Sequence, residues 1–514
     1  MLPPFGAWLG FGSCHTQPGS VAPPSTVRRA VERVVEEHYM AKRSSALVSA
    51  LLTSALVVGS CTGGATPSPT TTGAASPSGS PAGSPGDGAS PSPLEASGDI
   101  FAFGVSYETS DEIAQGRVDY FREQFPDVNV IFSESSFDAQ QFLAALQSSD
   151  KPDVVRIPRD RLGTYVAREL LEPLNDCIAR AEVDMTVYRD AAVTQVTVDG
   201  TVYGMPEFFW PTNWLIDNDL FEEAGLDPAE FDVSNWDEIR SANQALLDQT
   251  DAKVAIDPKT WDNGDRFPMW VWAAGGQMIS DDGRESLLDT PEVTEALEFT
   301  KSLIDAHGGI TQFKDLLNQA GVDFFGEGNP LAEDLEAAWI QQMWYLNVLA
   351  GSSPDISFTA KPFMTQDGQP LSYAEGDALA VLADSDNKDA GCAFVTTMVS
   401  TDAWLAAAEL RSQAAQDEDG IQTGTSTGNR EADDQIFSDL VDLSDNEVFQ
   451  AAVDENLSTL DSAFALPTTL AAEDFRQAWI DAVTAVNNGE MSAAEALQQA
   501  DQDAQAAIDE AYGQ

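Results

Sequence analysis

The side chains that most often carry chemistry are sparse or undifferentiated in this sequence. His15, His38 and His307 lie far apart and form no metal-ligand spacing. No serine elbow and no glycine-rich phosphate loop is spelled out. Carboxylates are abundant, with 84 Asp and Glu against 26 Lys and Arg. A pair suited to glycoside hydrolysis can therefore always be found, and finding one carries no information. The thiol that stands out is Cys61, which closes the segment after the apolar run Ala46 to Val58. A lipid attached through sulfur needs a cysteine at that place.

The surroundings of Cys61 support that chemistry. Met40-Ala-Lys-Arg43 is basic, the apolar run after it is too short to span a bilayer, and Val58-Gly59-Ser60-Cys61 resembles a lipoprotein processing box. The expectation is a secreted bacterial lipoprotein, anchored at the extracytoplasmic face of the cell membrane through Cys61. An ordinary cleaved signal peptide with a chance cysteine is the alternative, since Gly59 is less usual at its position. The Pro-rich and Arg-rich residues ahead of Met40 make Met40 the expected start of the leader. Thr62 to Gly98 is almost wholly Gly, Ser, Thr, Pro and Ala, a composition that buries no core and reads as a disordered tether.

The whole chain has 514 residues, 43% of them hydrophobic, and a net charge of −58. That is enough for two domains and far too acidic for a nucleic-acid partner. Ile100 to Val105 reads as a strand, and Thr109 with Glu112 as a capping box opening a helix that carries Ala114, Val118, Phe121 and Phe125. Val128, Val130 and Phe132 alternate as a second strand, Phe142, Leu143 and Leu146 line a second helix, and Val154 to Ile157 is a third strand. This order predicts a parallel α/β sheet. Ligand sites in such sheets gather at the carboxyl ends of strands, which marks the loops Ser106 to Glu108 and Pro158 to Arg161.

Val196 to Gly225 is the stretch that organises the rest. Asp199-Gly200 suits a tight hairpin turn, an extended aromatic run through Phe208, Phe209 and Trp210 follows, and Asp217 caps a helix that stops at Gly225. Hairpin, extended crossover and capped helix form a connection between two lobes. Gly200, Tyr203, Gly204, Pro206, Asp219, Leu220, Phe221, Ala224 and Gly225, together with the run Lys151 to Tyr165 and Leu170 to Leu174, resemble the extracellular solute-binding proteins of ATP-binding cassette importers. The likeness is to their sugar-binding branch, typified by maltose-binding protein. Asp217 departs from the Asn usual there, although either residue caps a helix.

The resemblance implies two α/β lobes of the periplasmic-binding-protein type, joined by crossover hinges around a cleft. It implies a monomer that needs no cofactor, captures a sugar or oligosaccharide and hands it to permease subunits. It puts forward Asp160 and Arg161 as partners of sugar hydroxyls, with a surface ion pair or helix cap as the plain alternative. Trp344 falls where a sugar ring is stacked, or else is simply core; Trp210 is placed by its position in the crossover. Asp265, beside Asn263 and Arg266, falls in a ligand-loop region. The family's Gly-Gly in the second crossover is Gly376-Asp377 here, so Asp377 either contacts ligand or fills space a larger sugar would need. Trp270 and Trp272 are expected in the core.

The expected segments are a leader over 1–61, a tether over 62–98, a first lobe over 99–207 and 374–415, and a second lobe over 208–373 and most of 416–514. Gln416 to Glu447 is acidic, has little apolar periodicity and reads as a surface loop around a third crossover. Thr290-Pro291 and Ser492 to Glu495 read as helix caps. Cys177 and Cys392 both fall in the first lobe by the family layout, where a disulfide between them is open to either outcome. Two rival functions remain: an extracellular carbohydrate-active enzyme, and a lipoprotein that binds cell-wall polymer or partner proteins.

Overall fold

The computed structural model describes residues 94–513, apart from 106, 108–110, 134–135, 262–265, 321–323, 327 and 418–419. The leader, Cys61 and the tether up to residue 93 lie outside the described residues. So does Thr109, and the first long helix, Glu112–Gln124, is capped instead by Asp111, whose carboxylate accepts from the N–H groups of Ile113 and Ala114. Asp111 is nearer the helix start, and one of its carboxylate oxygens serves both orphan donors.

The alternating strands assemble as the periodicity predicts. Gly98–Phe103 runs parallel to Val128–Phe132 on one side and to Val154–Pro158 on the other. Beyond them the sheet turns mixed: Asp377–Val381 pairs antiparallel with Val154–Pro158, and Met205–Pro206 closes the edge. The chain leaves the sheet after Pro206 and comes back at Asp377, so its returning strand enters from the opposite direction. Val118 and Phe121 of the first helix are buried with Val154, Val381 and Phe394 on one face of this sheet. A disulfide joins Cys177 to Cys392, with Cα atoms 5.7 Å apart, and ties the helix Asn175–Arg180 to the buried helix Lys388–Thr397.

The hairpin Thr197–Val198 to Thr201–Val202 turns through Asp199 and Gly200, both at positive φ, as a type I′ turn requires. The second sheet has the order Phe358–Lys361, Thr212–Asp217, Glu336–Gln342, Val254–Asp257. Thr212–Asp217 is buried along its whole length, and Asp217 caps the next helix by accepting from the N–H of Leu220 at 2.9 Å. Trp270 lies in the core beneath, edge-on to Trp214 at 5.9 Å, while the half-buried Trp272 stacks on Phe464 at 4.2 Å. Ser492 and Glu495 form the expected capping box. At Thr290 only the proline half of the cap holds: the hydroxyl donates back to the carbonyl of Leu287, and Pro291 occupies the first helical turn.

One segment differs from its sequence reading. Gln422 to Asn429 is buried, not a surface loop. Its side chains are short and polar, so it shows no apolar period, and hydrogen bonds settle it in place. Ser426 donates to the carbonyl of Phe209, the N–H of Thr427 donates to Asp433, and the N–H of Gly428 donates to the carbonyl of Glu207. The segment therefore runs beside the first crossover, where Phe208 bridges Thr427.

Candidate functional site

The loop after the third strand is a single 3-10 turn, Arg159–Arg161, at the carboxyl end of the sheet. Arg159 is buried and fixes that turn. Its guanidinium donates to the side chain of Gln195 at 3.0 Å and to the carbonyls of Phe208, Asp377 and Ala374, which belong to both crossovers. Burial lowers its pKa to about 10, still high enough to keep the charge at neutral pH. Gly376 sits against this guanidinium at φ 155°. A Cβ there would lie 2.0 Å from the carbonyl oxygen of Phe208 and 2.4 Å from Arg159 Nη1, so the close approach of the two crossovers depends on glycine.

A cavity of about 180 Å³ opens beside this junction. Asp160, Arg161 and Gln195 line it from the first lobe, and Gln342, Arg476 and Trp479 from the second. Trp210, Tyr373, Glu375 and Asp377 come from the crossovers themselves. Polar contacts also join the two lobes. The Tyr165 hydroxyl donates to Glu473 at 3.1 Å, the N–H of Glu473 donates to Thr164 at 2.9 Å, and Thr468 donates to the carbonyl of Gln195 at 3.0 Å.

The carboxylates around the cavity are held by cations. Asp377 meets Arg156 at 2.7 Å, and Arg156 also meets the buried Glu207 at 2.6 Å, whose other oxygen meets Arg117 at 2.7 Å. Burial raises the pKa of Asp377, against the pull of Arg156. Burial would raise Glu207 too, but Arg156 and Arg117 outweigh it and its pKa is lowered. Glu375 accepts from Arg266 and from the amide of Gln342. Asp160 faces Arg476 at 4.0 Å. Burial lifts the Tyr373 hydroxyl well above its ordinary range, so it stays a neutral donor and acceptor.

Of the residues singled out in the sequence, Asp160, Arg161, Trp210 and Asp377 are brought together on the cavity wall. The Trp210 ring stacks on Phe208 at 4.7 Å. Trp344 is not on that wall. It heads the helix Tyr345–Ser352, stacks at 6.2 Å on Phe325, and donates its indole N–H to Gln342, which does line the cavity. Asp265 and Asn263 lie outside the described residues; their neighbour Arg266 is the partner of Glu375. Sequence reasoning missed Glu375, Gln342, Gln195, Tyr373, Arg476 and Trp479. Glu375 sits one residue before the Gly376 already marked, and Arg476 with Trp479 falls at an i, i+3 spacing on one helix face, a signal that was available.

Carboxylate and amide acceptors, guanidinium donors and indole surfaces around one small space suit a ligand with many hydroxyls and an apolar face. Among the described residues no group of His, Cys, Asp and Glu is arranged to hold a metal ion.

Comparison with known proteins identifies the family and the fold. Residues 106–403 match the bacterial extracellular solute-binding protein family, more than half of the chain. A curated binding protein of Brucella abortus is 24% identical over 196 residues, which is 37% of this chain and 46% of that protein. The chain thus spans about half the length of the curated relatives it matches. An ABC substrate-binding protein from Listeria monocytogenes in complex with cycloalternan superposes with a TM-score of 0.62 at 20% identity, covering 81% of this chain and 99% of its own. The GacH receptor of Streptomyces glaucescens, solved unliganded and with acarbose, gives 0.59 at 18% identity over 80% and 99%.

Proposed function

Since the chain belongs to the bacterial extracellular solute-binding protein family, we propose that it captures a carbohydrate between its two lobes and delivers it to an ATP-binding cassette import permease. The observation that carries this reading is the cavity between the two sheets, where Asp160, Arg161 and Glu375 face the indoles of Trp210 and Trp479. A sugar ring offers an apolar C–H face and a rim of hydroxyls, and this set of groups answers both. Carbohydrate ligands in structures of the same fold, cycloalternan and acarbose among them, support the choice of substrate class.

In this reading residues 99–207 and 374–415 form one lobe, and 208–373 with most of 416–514 the other. The protein acts as a monomer held at the membrane by lipid on Cys61, without catalysis. Ligand that touches both lobes favours the closed arrangement and shifts the population toward it. A thermal-shift screen against neutral and acidic mono- and oligosaccharides tests the capture step. A cognate sugar at a hundred times its Kd adds about 2.7 kcal/mol to the stability of the folded state. Failure of every sugar to raise the melting temperature, or appearance of new reducing ends in proportion to protein, overturns the proposal.

A further inference from the structure

Resting on the carbohydrate reading above, we propose that the ligand of this cleft is an acidic sugar, a ring of hydroxyls bearing one carboxylate or phosphate group, and that Arg161 selects it. The argument begins with the ion pairs around the cavity. Asp377 has Arg156, Glu375 has Arg266, and Asp160 has Arg476. Arg161 lines the same space, and among the described residues no carboxylate stands within 4.0 Å of its guanidinium. Its Nε is buried and has no hydrogen-bond partner. The acid on the facing helix, Glu473, accepts from the Tyr165 hydroxyl.

The Nε atoms of Arg156, Arg189 and Arg266 are also buried without a hydrogen bond, but each of those guanidiniums has a carboxylate within 4.0 Å, whereas Arg161 has none among the described residues and so calls for an occupant. The second guanidinium of this turn, Arg159, also has no carboxylate among its hydrogen-bond partners. Every one of them is a carbonyl or amide oxygen. The turn therefore sets two guanidiniums against one carboxylate, Asp160. This happens in a chain of net charge −58, whose overall field repels anions. A neutral sugar needs no such local exception, whereas an anionic one does. Arg161 also has the right form for it, a planar fork of donors that matches a carboxylate or phosphate with two parallel bonds.

Size limits the ligand further. The cavity holds about 180 Å³, the volume of roughly six waters at about 30 Å³ each. That is space for a small ligand of the order of one ring. Gln195, Gln342, Glu375 and Asp377 line the rest of the space, each already held by a partner in the protein.

Calorimetric titration of the purified full chain decides the matter, using D-glucuronate, D-galacturonate and D-glucose 6-phosphate beside D-glucose and D-galactose. The expected result is at least tenfold tighter binding of an acidic member than of its neutral counterpart, weakening as KCl rises. Preference for the uronates identifies a carboxylate ligand, and preference for the 6-phosphate a phosphate ligand. Arg161→Gln should abolish the preference, weakening the acidic sugar at least tenfold more than its neutral counterpart. Arg161→Lys, which keeps the charge, should restore most of it. Far-ultraviolet circular dichroism and the melting temperature establish that both variants fold. A neutral sugar that binds as tightly as its acid overturns the inference and leaves the carbohydrate reading standing. Failure of all these probes, alongside a blank in the oligosaccharide screen, overturns both.

Discussion

The backbone N–H of Trp210 donates to the carbonyl of Glu375 at 2.9 Å, which bonds the first crossover to the second at the wall of the cavity. The same two residues line that cavity with their side chains. Crossover junction and cavity wall are thus built from one pair of extended segments, and a change in one should be felt in the other. Arg159 adds to this coupling by spanning both crossovers from below.

Gly376 is the tightest point of that junction. Gly376→Ala places a methyl 2.0 Å from the carbonyl oxygen of Phe208 and forces the crossovers apart. It should destabilise the protein by on the order of 1–3 kcal/mol, as strain of this kind does. Gly200, in the hairpin, also has positive φ but meets nothing within 4 Å. Gly200→Ala should cost only the backbone term of about 1 kcal/mol. Urea unfolding of both variants checks the order, and equal losses would remove the close approach as the reason for the glycine.

A buried carboxylate makes the stability depend on pH in a definite direction. Lys259 lies 2.6 Å from Asp257 and 4.0 Å from Glu336, so two acids share one cation. Burial raises Glu336 to about 7, with Asp257 adding to the rise and Lys259 opposing it. A carboxyl raised above its unfolded value of 4.5 takes up its proton more readily in the folded protein. Its contribution is fully present below that value and is lost as pH rises through about 7. Glu336→Gln removes the need for the proton. The variant should gain on the order of 2 kcal/mol over wild type at pH 8 and almost nothing at pH 4.5. Thermal melts at the two pH values test the sign, and a difference that grows toward acid would contradict it.

His307 works in the opposite sense. Its Nε2 accepts from the N–H of Ala255 at 3.0 Å while Nδ1 faces the carbonyl of Leu303 at 2.8 Å, so the neutral ring satisfies both neighbours. Burial lowers its pKa, against the Leu303 carbonyl and Asp257. Stability from this ring is present above its ordinary value of 6.5 and falls as pH drops below it. His307→Gln should therefore flatten the acid limb of the stability profile. A wild-type-minus-variant difference that is constant between pH 5 and 8 would exclude this role.

What was legible in the sequence follows the range of the forces involved. The hairpin turn at Asp199-Gly200, the cap at Asp217 and the capping box at Ser492 depend on residues within four positions, so local chemistry announces them. The strands Val128–Phe132 and Val154–Pro158 were visible because burial imposes a pattern on neighbours. The pairing of Glu375 with Arg266 joins residues 109 apart, and nothing in either neighbourhood foretells it. Gln422 to Asn429 misled because burial there is secured by hydrogen bonds to Phe209, Glu207 and Asp433 and leaves no apolar period. The aromatic placement of Trp344 rested on family position. Its ring instead packs with Phe325 and Tyr345 and touches the cavity only through Gln342.

That difference separates two tryptophans experimentally. Trp210→Ala removes a wall of the cavity and should weaken binding of the cognate sugar by on the order of 1–3 kcal/mol with the fold retained. Trp344→Ala frees Gln342 from its indole partner, and its larger effect should be on stability, through the lost aromatic packing. Titration and melting of both variants separate the roles. Loss of binding in Trp344→Ala alone, at unchanged stability, would return the stacking surface to Trp344.

The last expectation concerns closure. Tyr165 lies on the first lobe and Glu473 heads a helix of the second, and a 3.1 Å hydrogen bond joins them. Burial and the neighbouring Glu473 raise the Tyr165 hydroxyl above its ordinary range, so it remains a donor at any physiological pH. Tyr165→Phe keeps the ring among Phe137 and Phe142 and deletes this one contact. The closed arrangement should lose about 0.5–1.5 kcal/mol relative to the open one. Apparent ligand affinity should fall by the same factor as the closed population, because ligand binds the closed state. Small-angle scattering of the unliganded variant should show a larger radius of gyration, restored by saturating ligand. Unchanged affinity together with an unchanged scattering profile would mean that the Tyr165–Glu473 bond does not bias the opening of the cleft.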